Sequence, residues 1–115
     1  MKDLNELLYE IYDELKIHGL VESGNEFSRE WLGRSDRLYS WIKSSGHEPN
    51  LAVMMGLYTR LDLKCWEAIR AKEHLHSALY EELADRLWEA IRAESIRKTP
   101  NRRKKAVADD AQAGA

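Results

Sequence analysis

Leu4, Leu7, Leu8, Ile11 and Leu15 recur at intervals of three and four, the spacing that gathers side chains on one helical face. They predict a first amphipathic helix from about Asp3 to His18. Gly19 follows its last turn, where a left-handed backbone costs glycine little. Ser23 and Glu26 form a capping box, the hydroxyl serving an orphan amide at the helix start while the carboxylate reaches back. The short second helix has Phe27 and Trp31 or Leu32 facing inward, and Gly33 breaks it. Ser35 is placed to cap a third helix anchored by Leu38, Trp41 and Ile42, with Arg37, Ser40, Lys43 and Ser44 on its other side. The segment from Gly46 to Pro49 predicts a turn. Asn50 then caps a fourth helix with Leu51, Met54, Leu57, Tyr58 and Leu61 on one stripe.

From Lys64 to about Arg97 there is neither proline nor glycine, which predicts one long helix or a helical hairpin. Trp66-Glu67-Ala68-Ile69-Arg70-Ala71 recurs 22 residues later as Trp88-Glu89-Ala90-Ile91-Arg92-Ala93. Along a single straight helix that period turns by about 40° beyond whole turns, so both copies would share nearly one face. The expected stripe is Trp66, Ile69, Leu79, Leu83, Trp88 and Ile91. Of these, Trp66, Ile69, Leu83, Trp88 and Ile91 are the candidate dimer or partner interface. The other reading of the repeat is chance similarity in a helix of limited alphabet.

With 115 residues, 43 % of them hydrophobic and 33 % charged, the chain suits one globular helical domain with a real core. No apolar run approaches the ~20 residues of a membrane span, and no secretory signal is expected. Cys65 stands alone, so no internal disulfide is available, and a cytoplasmic location is expected. The net charge of −2 is unevenly spread: residues 1–96 hold 12 basic against 18 acidic side chains. Such a body is a poor non-specific DNA binder, because that affinity rests on neutralising phosphates. Locally, residues 27–47 are positive, with Arg29, Arg34, Arg37 and Lys43 against Glu30 and Asp36. A basic run from Arg97 to Lys105 leads into a tail expected to be disordered.

Catalytic chemistry is not indicated. His74 and His76 diverge by about 200° on a helix and cannot share an ion. The Glu81-Glu82 and Asp109-Asp110 pairs are adjacent in sequence and read as solvated faces, and there is no glycine-rich phosphate loop. No enzyme, metal or cofactor is expected.

Phe27 to Leu63 resembles the helix-turn-helix of the Cro and phage-repressor type. The matching phrases are Leu32-Gly33-Arg34-Ser35 for the turn and Leu38 to Lys43 for the recognition helix. Ser45-Gly46-His47-Glu48-Pro49 matches the following turn, and Leu51 to Leu63 the fourth helix with its closing Leu-x-Leu. Between Phe27-Ser28 and Gly33 stands one residue more than that family uses, the family's glutamine has no clear counterpart, and Trp41 occupies the middle of the recognition helix. Phe27 to Gly33 is also similar to a phrase in short bacterial proteins, a similarity that supplies no function.

The resemblance implies an all-α, five-helix lambda-repressor-like domain over residues 1–63, to which the residue pattern adds a helical extension over 64–97 and a disordered basic tail over 98–115. It implies a small regulator, expected as a dimer, that binds double-stranded DNA. Arg37, Tyr39, Ser40, Lys43 and Ser44 would face the groove, and Arg29, Arg34 and His47 would touch phosphates. The alternative is a protein–protein adaptor or antiactivator that keeps the fold without binding DNA. The acidic first helix and the tryptophans of the C-terminal segment favour that alternative.

Overall fold

Asp3 opens the first helix in the computed structural model, which describes residues 3–98. Its carboxylate accepts the Glu6 amide at 2.8 Å and starts α1, Leu4–Ile17. The helix ends in a Schellman turn. The Gly19 amide donates to Lys16 O at 3.0 Å and the Leu20 amide to Leu15 O at 2.8 Å, with Gly19 at φ 71°.

The second helix, α2, spans 24–31. Its first turn, Gly24–Glu26, is α-helical, and the rest, Phe27–Trp31, is a π-turn. The Ser23 hydroxyl accepts the Glu26 amide at 3.2 Å, and the Glu26 carboxylate accepts the Glu22 amide at 3.1 Å. The expected capping box therefore forms, although the carboxylate reaches one residue further back than Ser23. The Leu32 amide donates to Phe27 O at 3.0 Å, a five-residue step. A π-turn holds one residue more than an α-turn for the same advance. Phe27, Trp31 and the following Leu32 all face the core, at 0 %, 4 % and 3 % exposure.

Helix α3, Leu38–Ser45, starts later than the Ser35 cap predicts. Its N-cap residue, Arg37, makes no side-chain cap bond, and Ser35 contributes only its carbonyl, to the Leu38 amide at 3.2 Å. Its inward face also differs from expectation: Tyr39 and Ile42 are buried, Leu38 is half-buried and Trp41 is 50 % exposed. The reason lies on α1. Tyr39 stacks on Tyr12 with ring centres 4.6 Å apart, and meets Phe27 edge-on at 5.1 Å and Tyr9 at 6.1 Å. Such pairs are worth about 0.5–1.5 kcal/mol each beyond their buried area.

Asn50 caps α4, Leu51–Arg70, accepting the Val53 amide at 2.8 Å. The helix runs on past Leu63, so residues 63 and 64 lie within one continuous element. It closes in a second Schellman turn, in which the Lys72 amide donates to Ile69 O at 3.1 Å and the Glu73 amide to Ala68 O at 2.9 Å. Here a lysine takes the left-handed position, at φ 60°.

Helix α5, His74–Lys98, returns alongside α4. The C-terminal segment is therefore part of a hairpin, and the two hexapeptide copies lie on antiparallel helices, not along one face. The core joins Leu8, Ile11 and Leu15 of α1 with Phe27, Ile42, Met54, Leu57 and Leu61, and is closed by Leu83 and Leu87 of α5. Arg86 ties α5 to α1 through Glu10 at 3.7 Å. All five elements are helical, with no strand among the described residues. The tail expected over 98–115 lies, beyond Lys98, outside the described residues.

Candidate nucleic-acid interface

Ser28 governs how α3 meets α2. The residue is fully buried. Its hydroxyl donates to Gly24 O at 2.8 Å and accepts the Tyr39 amide at 2.8 Å. An orphan amide in the first turn of α3 is thus satisfied from inside the core, in place of a surface cap. At the other end Gly46, at φ 74°, closes α3 with its amide on Ile42 O at 2.9 Å. The Asn5 amide group donates to His47 O at 2.9 Å and moors the loop that follows to α1.

With α3 held in this way, Arg37, Ser40, Lys43 and Ser44 are exposed on its outer side, as expected. Arg34 lies exposed in the turn before it. Arg34, Arg37 and Lys43 have no ion pair among the described residues. Arg29 differs: it lies 3.3 Å from Glu30 and 3.3 Å from Asp36, and these hydrogen-bonded carboxylates push its guanidinium pKa up. Its charge is locally cancelled, which weakens its expected role at a phosphate. Tyr39 does not join the groove-facing set. It is 4 % exposed, its hydroxyl has no hydrogen-bond partner among the described residues, and burial pushes its pKa upward, with smaller contributions from Asp13, Tyr12 and Tyr9.

Two features of this surface escaped the sequence. Trp41 and His47 stack with ring centres 4.7 Å apart, forming an exposed aromatic platform at the end of α3. A groove of about 510 Å³ between α1 and α3 also brings Asp13 and Lys16 beside Ser40, Lys43 and Ser44. Lys16 sits above the Tyr12 ring, 5.8 Å from its centre. No local signal marks Lys16, because only the packing of α1 against α3 brings it near Lys43.

The five residues of the predicted dimer or partner interface divide. Leu83 and Ile91 are core residues, at 0 % and 4 % exposure, and cannot form an open surface. Trp66, Ile69 and Trp88 are about half-exposed and remain available. No group of three His, Cys, Asp or Glu side chains suited to a metal ion occurs among the described residues. No helix there is long and apolar enough to cross a membrane.

These features define a five-helix protein whose short third helix is braced from within and presents an open, mainly polar face. The chain belongs to DUF6626, a family of unknown function, whose model matches residues 8–106. The match begins within α1 and takes in the other four helices. No curated protein and no solved structure matches the chain.

Proposed function

We propose that the chain is a small DNA-binding regulator of helix-turn-helix type that presents the outer face of α3 to the major groove. The observation that carries this reading is the set of free cations: Arg34 in the turn before α3, and Arg37 and Lys43 on the exposed side with Ser40 and Ser44, form no ion pair among the described residues. Cations left unpaired on an exposed helix are available to phosphates, and short hydroxyl side chains between them can reach base edges. The π-turn in α2 supports the resemblance, because it absorbs the one residue by which Phe27 to Gly33 exceeds the family pattern.

The acidic body limits non-specific affinity, so binding should be selective and salt-sensitive. The test is titration of the full chain with random-sequence duplex and with its own upstream region, from low to physiological salt. Selective binding, abolished by Arg37→Ala with Lys43→Ala, supports the reading. Absence of binding at low salt rejects it.

A second reading, a protein–protein adaptor on the same fold, is favoured by Trp41, which stands half-exposed beside these cations. A tryptophan so placed is a common protein-interface anchor. Under this reading the Arg37→Ala, Lys43→Ala variant loses no partner.

A further inference from the structure

The α4–α5 hairpin buries one side against the core and leaves the other bare. On α4, Met55, Tyr58, Asp62, Trp66 and Ile69 follow at intervals of three and four and share a face. On α5, Ser77, Glu81, Asp85 and Trp88 do the same. Two contacts set the register between them. Cys65 Sγ donates to Ser77 O at 3.5 Å near the connecting turn, and the Tyr58 and Trp88 rings lie 5.4 Å apart further along.

Asp62 falls between these contacts on α4, and Glu81 and Asp85 fall between them on α5. All three carboxylates are exposed and have no ion pair among the described residues. The register set by the Cys65–Ser77 and Tyr58–Trp88 contacts places all three on the stretch of hairpin that holds Cys65, whose thiol pKa is pushed up first by burial and then by Glu81, Asp62 and Asp85. The face therefore has an acidic centre between two apolar ends. Met55, Tyr58 and Trp88 form one end, bordered by the exposed Arg92 one turn further along α5, and Trp66 and Ile69 form the other. Trp66 is 57 % exposed and Trp88 45 %. Tryptophans exposed in this way are common anchors of protein contact.

We propose that this face docks a basic amphipathic helix of another protein, with lysine or arginine at its middle and apolar side chains toward both ends. Met55 to Ile69 spans about 21 Å, the length of roughly four helical turns. Charge complementarity selects the occupant. In a second copy docked symmetrically, a two-fold axis through the centre of the face would set the carboxylates against their own counterparts. A basic helix neutralises them while its apolar ends cover the tryptophans. This docking is independent of how α3 is used.

The test uses the full chain and a synthetic helical peptide of about four turns, with leucines at both ends and lysines at the centre. Binding is read by calorimetry and tryptophan fluorescence, and circular dichroism checks that each variant folds. The lysine peptide is expected to bind, and a counterpart with glutamate for lysine is not. Asp62→Lys with Asp85→Lys should weaken binding by about tenfold or more, as should Trp66→Ala. Arg37→Ala with Lys43→Ala should bind the peptide unchanged, which separates this inference from the DNA reading. Failure of the lysine peptide to bind, equal binding of the glutamate peptide, or unchanged affinity in the Asp62 and Asp85 variant would overturn it. So would a wild-type dimer in sedimentation that Trp66→Ala dissociates, since the face would then be covered by a second copy.

Discussion

Ser28 Oγ accepts the backbone amide of Tyr39 at 2.8 Å, joining the middle of α2 to the first turn of α3 from within the core. The same hydroxyl donates to Gly24 O, so both of its roles are filled and neither group faces water. This bond and the stacking of Tyr39 on Tyr12 orient α3, and with it every exposed side chain of the candidate interface.

Ser28→Ala leaves the Tyr39 amide buried without its partner. A stranded buried donor costs about 1–3 kcal/mol. The expected result is an unfolding free energy lower by that amount, seen as a lower urea midpoint with the slope unchanged. A loss too small to measure would mean that α3 is held by its aromatic contacts alone.

Tyr39 should confer alkaline sensitivity. Burial holds its phenol protonated above the ordinary value of 10.0, and Tyr80 is shifted in the same direction, first by burial and then by Glu73 and Glu67. Above about pH 10 the unfolded chain loses these protons while the fold retains them. The stabilisation is complete below that pH and is lost as pH rises toward the folded-state values. Tyr39→Phe should make the decline shallower. It should also be neutral or stabilising by about 1 kcal/mol at neutral pH, because the buried hydroxyl has no partner. Denaturation midpoints across the alkaline range test both points, and identical pH slopes would reject the assignment.

Lys72→Gly should stabilise the protein. Lys72 adopts φ 60°, a conformation that costs a non-glycine residue about 1 kcal/mol. The expected gain is roughly 0.5–1 kcal/mol, a rise of a few degrees in Tm. An unchanged or lower Tm would show that the lysine side chain offsets the strain.

Arg29 and Arg37 should behave differently toward DNA. Arg29 is engaged by Glu30 and Asp36, so Arg29→Ala should change duplex affinity little. Arg37→Ala should weaken binding and reduce the salt slope by about 1. Equal effects from the two variants would mean that the Arg29 pairs open on binding.

The two Schellman turns show where local pattern suffices and where it does not. After α1 the left-handed position carries Gly19, and the helix end is legible from the residue type. After α4 the same hydrogen bonds form around Lys72, and nothing in the residue types marks the break. Hence the segment after Lys64 reads equally as one helix or a hairpin. Likewise, Leu38, Trp41 and Ile42 form as good a helical face as Leu38, Tyr39 and Ile42, and only the rings of Tyr9 and Tyr12 on α1 decide between them.

Periodicity and capping chemistry by themselves determined the helical class, the starts of α1, α2 and α4, and the exposure of Arg37, Ser40, Lys43 and Ser44. These depend on side chains within a few residues of one another, where spacing dictates geometry. The tertiary structure decided the rest. It drew Tyr39 inward and left Trp41 outside, buried Leu83 and Ile91 while baring Trp66 and Trp88, and gathered Asp62, Glu81 and Asp85 on one face. Each of those outcomes depends on which distant element packs alongside, and an amphipathic stripe specifies that a face is buried without specifying against what.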